Sequence, residues 1–366
     1  MRKLSSITLS SVILILLASC SVSNRKEEGD FVDFSSIKEK EIEGTPVFED
    51  LILGDAISSF SFMDDAVLFS YMIDSDEGPL LLYDAKDGEK RWIGKWGAGP
   101  GEMICQEFAG KTADNDTVFS FDITQRKVFS FVRRKDTPSA YVYYETIPDS
   151  DRTFLSQLKR MDNGFYVGTL YSGRQNLFAL YDSKMHEICR FGGLPIKGLQ
   201  DEEMDLNVFS GEIATHGNSI YFACQKFGYV TRIDISDSGE PTQIWERYFS
   251  EPQYEVIQGS IKIKGHDNLR GFDGLAVNGD YLFATYSGVY QLAYREIDLY
   301  ANVPEYLVVM DVRNGELLHK CHFQPKGGNI ALSSDNKKLY MKAYTPEVGI
   351  ISYDMKDILG NNDGRD

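Results

Sequence analysis

Leu80–Gly94 reads LLLYDAKDGEKRWIG. Four apolar residues run into Asp84, a polar turn closes at Gly88, and a second short strand leaves through Trp92 and Ile93. The Asp has a physical reason to stand there. Its short carboxylate accepts backbone N–H bonds within the turn, and the Gly supplies the left-handed residue that closes a hairpin. The unit reads as strand, turn, strand.

Similar units recur at Asp122 (VFSFDITQRKVFSF), Asp182 (LFALYDSKMHEICRF), Asp234 (VTRIDISDSGEPTQIW), Asp311 (LVVMDVRNGELLHKC) and Asp354 (IISYDMKDILG). Their spacings are 38, 60, 52, 77 and 43 residues. Propeller blades run about 40–50 residues. A half-blade cannot bury its apolar face alone, so such repeats stack or close. The reading is all-β: a six-bladed β-propeller of four-stranded antiparallel blades over residues 45–356. A seventh, degenerate blade inside the 77-residue gap is the alternative. The sixth copy has little chain after it, so the stretch from Pro46 to Leu53 (VFEDLIL from Val47) is expected to pair with Ile350–Tyr353. That pairing closes the last blade and removes an exposed edge.

The composition agrees. Of 366 residues, 13% are aromatic and 32 are Gly, which favours short strands joined by tight turns. The formal net charge of -17 argues against nucleic acid as a partner, because a basic face is needed to displace counterions from phosphates.

The N-terminus is an address. Arg2 and Lys3 precede an apolar run from Ile7 to Leu17, too short to span a bilayer. Leu17-Ala18-Ser19-Cys20 follows, and resembles the bacterial lipobox. That resemblance implies a signal peptide over residues 1–19, lipid attachment at Cys20 and a membrane partner through the acyl chains. No Asp follows Cys20, which favours an outer-membrane lipoprotein on the periplasmic or cell-surface face. Lys26-Glu27-Glu28 reads either as an acidic export tag or as part of a solvated polar tether over residues 20–44. Residues 357–366 read as a polar tail. Cys105, Cys189, Cys224 and Cys321 form no CxxC and read as unpaired thiols, although export permits disulfides.

GKWGAGPGE (Gly94–Glu102) after a WIG strand resembles the G-x-x-G-x-GPGE signature of six-bladed TolB-like and NHL-like propeller lipoproteins of Gram-negative bacteria. YLFATYSG (Tyr281–Gly288), followed by an insertion and EYLVVMDVRNGE, matches a second stretch of that family. The resemblance implies fold and envelope location, and lends no activity. Gly94, Gly97, Gly99, Pro100 and Gly101 read as an interblade turn. A phosphate loop would need a helix after it, and Pro100 breaks the run. Lys95, Trp96 and Glu102 are thereby placed near one propeller mouth and become binding candidates, with Tyr286 beside them.

Other patterns carry less. His319, Cys321 and His322 cannot converge on a metal from one strand, because His322 points oppositely. Asp74-Ser75-Asp76-Glu77-Gly78 lacks the later ligands of a calcium loop. Gly265-His266-Asp267 lacks a nucleophile. No catalytic residue, metal site or cofactor is assigned. The expectation is a monomeric, lipid-anchored binding or scaffold module for a protein or glycan ligand. The alternative is a propeller hydrolase or lyase acting on envelope sugars or lactones. That alternative requires ligands at equivalent positions of several blades.

Overall fold

The computed structural model describes residues 31–51, 57–71, 77–135, 140–148, 155–173, 175–196, 204–257, 260–264, 267–290, 300–345 and 347–360. The signal peptide, Cys20, the Lys26–Glu28 stretch, Asp74–Asp76 and Gly265-His266 lie outside them.

Six antiparallel blades follow in chain order. Blade 1 is Ile57–Met63, Ala66–Tyr71, Leu80–Asp84 and Lys90–Ile93. Blade 2 is Gln106–Lys111, Thr117–Asp122, Lys127–Arg133 and Tyr141–Pro148. Blade 3 is Leu155–Arg160, Tyr166–Leu170, Asn176–Tyr181 and Glu187–Gly193. Blade 4 is Gly211–His216, Ser219–Cys224, Tyr229–Ile235 and Pro241–Tyr248. Blade 5 is Phe272–Val277, Tyr281–Tyr286, Tyr306–Asp311 and Leu317–Gln324. Blade 6 is Gly327–Leu332, Lys338–Ala343 and Gly349–Asp354, completed by Thr45–Val47. Each first strand touches the first strand of the next blade, and that of blade 6 touches that of blade 1, so the array is a closed ring.

The apolar core lies between blades. Leu80 and Leu82 pack into the layer between blades 1 and 2, whereas Leu81 and Tyr83 pack into the layer between blades 6 and 1. Alternate residues of one strand therefore bury opposite faces, which is why LLLY is continuously apolar.

An N-terminal strand closes the last blade as expected, but it is Thr45–Val47; of the expected stretch Pro46–Leu53 only Pro46 and Val47 pair with that blade among the described residues. Thr45, Pro46 and Val47 pair with Ser352, Ile351 and Ile350. Phe48 then turns the chain with φ 58°. Among the described residues the 77-residue gap holds no further blade. It holds a hairpin between blades 4 and 5 (Tyr254–Ile257 with Ser260–Ile263) and an enlarged loop in blade 5 between Tyr286 and Tyr306.

Three readings need correction. The copy at Asp122 is out of phase. Asp84, Asp182, Asp234, Asp311 and Asp354 lie within one residue of the ends of third strands, but Asp122 ends the second strand of its blade. The third strand of blade 2 ends at Arg133 instead, which replaces the spacings of 38 and 60 by 49 and 49. The tether is shorter than residues 20–44. Glu39–Glu43 adds a fifth, parallel strand to Leu317–Gln324, and Ile42 is buried. Further upstream Val32 N donates to Tyr248 O at 2.8 Å, and Phe34 packs edge-on against Tyr286 and Tyr306. Alternating charges hid this strand, because it uses only one apolar contact. The polar tail also begins later than residue 357, since helix Met355–Leu359 buries Ile358 beside Phe323.

Candidate functional site

The six first strands surround the axis. Their inner edges have no neighbouring strand, so backbone groups there need other partners. Adjacent blades supply several. Gln157 Oε1 accepts from Ile213 N at 2.9 Å, and Thr215 Oγ1 donates back to Arg160 O at 3.3 Å. Thr285 Oγ1 donates to Gly328 O at 3.0 Å, and Lys342 Nζ donates to Ile57 O at 2.8 Å across the closing seam.

These strands enclose an axial cavity of about 260 Å³. Lys111, Lys159, Arg160, Ser59, Ser61, Ser70 and Thr215 supply its polar lining, and no carboxylate-bearing residue lines it. Burial pushes the Lys159 ammonium below the usual lysine range, and the charge of Glu212 opposes that. Burial likewise lowers Lys111, opposed by Asp64, Asp162 and Asp114.

A second tier lies towards the other end of the axis. The second residues of the first strands are Ser58, Glu107, Ser156, Glu212, Asp273 and Gly328 in blades 1 to 6. In every blade but the fourth the register shifts at this position, and such bulges re-aim side chains. Burial holds the Glu107 carboxyl above its usual range. Burial does the same for Glu212, opposed by Lys159 and the Gln157 side chain and reinforced by Asp273. Asp273 is tied to Arg270 and to Gln225, both at 2.7 Å. These carboxylates do not converge. Among the described residues, three metal-capable side chains with donor atoms within 4.8 Å of one another are found at Glu39, Glu41 and His322. That group sits on the outer rim. His322 pairs with Glu41 at 2.8 Å and Lys320 with Glu39 at 2.9 Å, so it reads as a ladder of ion pairs holding the N-terminal strand.

The residues proposed from sequence lie elsewhere. Gly94–Glu102 forms the connection from blade 1 to blade 2, with Lys95–Trp96 paired in parallel to Glu102–Met103. Lys95 is exposed on it, and Trp96 is half-buried. Glu102 is turned onto its own loop, where Oε2 accepts from Gly99 N at 2.9 Å and a Cβ at Gly97 would collide with it. Tyr286 is 1% exposed, among Phe34, Phe249 and Phe272, so it is core and cannot be a contact residue. The channel tiers escaped sequence reasoning. The signal that could have found them is the second and fifth residue of each first strand, but that needs the blade phase, which the Asp122 copy obscured.

Gly101 has φ +76°, whereas Gly99 does not use the left-handed region. A Cβ at Gly101 would lie 2.8 Å from the Tyr143 ring. Gly101→Val is expected to cost about 1–3 kcal/mol. Thermal melts check this, and an unshifted midpoint contradicts it. The four cysteines are free; Cys224 and Cys321 are buried, and burial pushes their thiols up to about 12 and about 11.

No family model and no curated protein matches the chain. Solved structures do. A Bacteroides fragilis protein named only by its expected export aligns with TM-score 0.53 at 10% identity, covering 86% of this chain and 97% of that one. A luciferin-regenerating enzyme aligns with TM-score 0.50 at 11% identity, covering 84% and 94%. At these identities the likeness shows the fold alone. The described residues contain no helix long and apolar enough to cross a membrane.

Proposed function

We propose that this chain is a lipid-anchored envelope propeller that binds a protein or glycan ligand. The observation that supports this best is the axial cavity: a rigid closed ring presents cations and hydroxyls around it, while the neighbouring carboxylates do not converge on one point. A preorganised ring orders little on binding, so contact energy is not lost to loop entropy. A glycan-array screen with the purified chain tests it, and no specific binder would count against a glycan ligand.

Anchoring rests on the Leu17–Cys20 stretch. Cys20→Ala is expected to abolish fatty-acid labelling while the melting midpoint stays unchanged. Label persisting in the variant would falsify the lipid assignment.

One observation favours a second reading, the hydrolase or lyase. Glu107 and Glu212 are carboxyls held up by burial near the axis, as a general acid must be. Turnover of sugar or lactone substrates that is lost in Glu212→Gln would establish it.

A further inference from the structure

We propose that the axial cavity takes a small hydroxylated organic anion of the sugar-acid kind, its carboxylate on the Lys159 ammonium and its hydroxyls on Ser59 and Ser61. This deepens the binding reading above and rests on it.

The chain carries 55 acidic residues against 38 basic, yet three cations and no acid line this cavity. Two of the three are committed. Lys111 Nζ donates to Asn115 Oδ1 at 2.7 Å, amid the charges of Asp64, Asp114 and Asp162. Arg160 lies 5.9 Å from the Tyr166 ring centre and interacts with Asp114. Lys159 differs. Among the described residues its side chain makes no hydrogen bond, and no carboxylate lies within 4.0 Å of its ammonium. Its partner in charge, Glu212, stands farther off beside Gln157.

Lys159 is half-buried and opens onto the cavity, where its ammonium has no close counter-charge. An anion in the cavity supplies the missing partner, and charge-assisted hydrogen bonds are the stronger kind. The hydroxyls set the rest of the chemistry. Ser59 and Ser61 belong to the first strand of blade 1 and line the same space, with no side-chain hydrogen bond among the described residues. The volume lies below the range of about 300–1,000 Å³ typical of drug-sized ligands, which suits a monosaccharide-sized guest.

Calorimetric titration of the full chain in detergent micelles tests this with glucuronate, glucose and inorganic phosphate. Saturable heat is expected with glucuronate, none with glucose, and affinity for phosphate at least about tenfold weaker. Lys159→Met should lower glucuronate affinity by at least about tenfold, the loss of one charged hydrogen bond, without lowering the melting midpoint. The assignment is overturned by no heat with glucuronate, by an equal response to glucose or phosphate, or by unchanged binding in Lys159→Met. Should that variant fail to fold, the wild-type comparison of glucuronate with glucose decides alone. Capture of a glycan by wild type without any glucuronate response sinks this inference and leaves the broader binding reading standing.

Discussion

Asp122→Ala is expected to destabilise the propeller by about 3–5 kcal/mol, whereas Asp84→Ala should cost about 1 kcal/mol or less. The two residues look alike in sequence. Asp122 is 0% exposed and accepts from three backbone amides, Ile104 N, Cys105 N and Gln125 N. Two of these belong to the connection that leads from the Gly94–Glu102 loop into blade 2. Removing the carboxylate leaves three donors without a charged acceptor in a place water reaches poorly. Asp84 accepts from Lys86 N at 2.9 Å in an open turn, where water replaces it. Urea melts of both variants measure the difference. Equal midpoints would show that the clamp on the interblade connection contributes nothing.

Shortening the N-terminus should give a step, not a slope. A chain beginning at residue 31 is expected to melt like the full chain. One beginning at residue 45 loses the burial of Ile42, the Phe34 ring between Tyr286, Tyr306 and Phe249, and the pairing of Glu39–Glu43 with Lys320–Gln324. At about 1.5–3 kcal/mol for each fully buried large apolar side chain, the loss is about 3–5 kcal/mol. It also bares the edge of Leu317–Gln324, an eight-residue strand ready to pair with another chain. Beginning at residue 49 removes Thr45–Val47 as well and opens blade 6. Melts and a sizing column compare the three. If the chain from residue 45 stays monomeric at the full-length midpoint, the arm is not part of the folded unit.

Strand composition and turn chemistry made the blades legible. Apolar runs of four to eight residues ending in Asp with Gly or Asn beyond can hardly be anything but strand and turn. Closure was legible too, because a sixth unit without a fourth strand needs one from the other terminus. What the chain alone could not supply is phase. LLLYD and VFSFD look the same, yet one ends a third strand and the other a second, because either kind of hairpin accepts an Asp at its turn. Without phase, the equivalent positions Glu107, Glu212 and Asp273 cannot be aligned, and Lys159 is one lysine among many.

The amino-acid order thus determined the blade, the number of blades and the means of closure, since these follow from local hydrogen-bonding and from burying two faces of each strand. The tertiary structure alone decided which polar side chains meet at the axis, that Tyr286 is core, and that residues 31–43 strap blades 4 and 5. Those outcomes depend on contacts between residues up to nearly three hundred positions apart, Glu41 with His322 among them. No local pattern encodes such a meeting, because it follows from the ring that brings distant strands side by side.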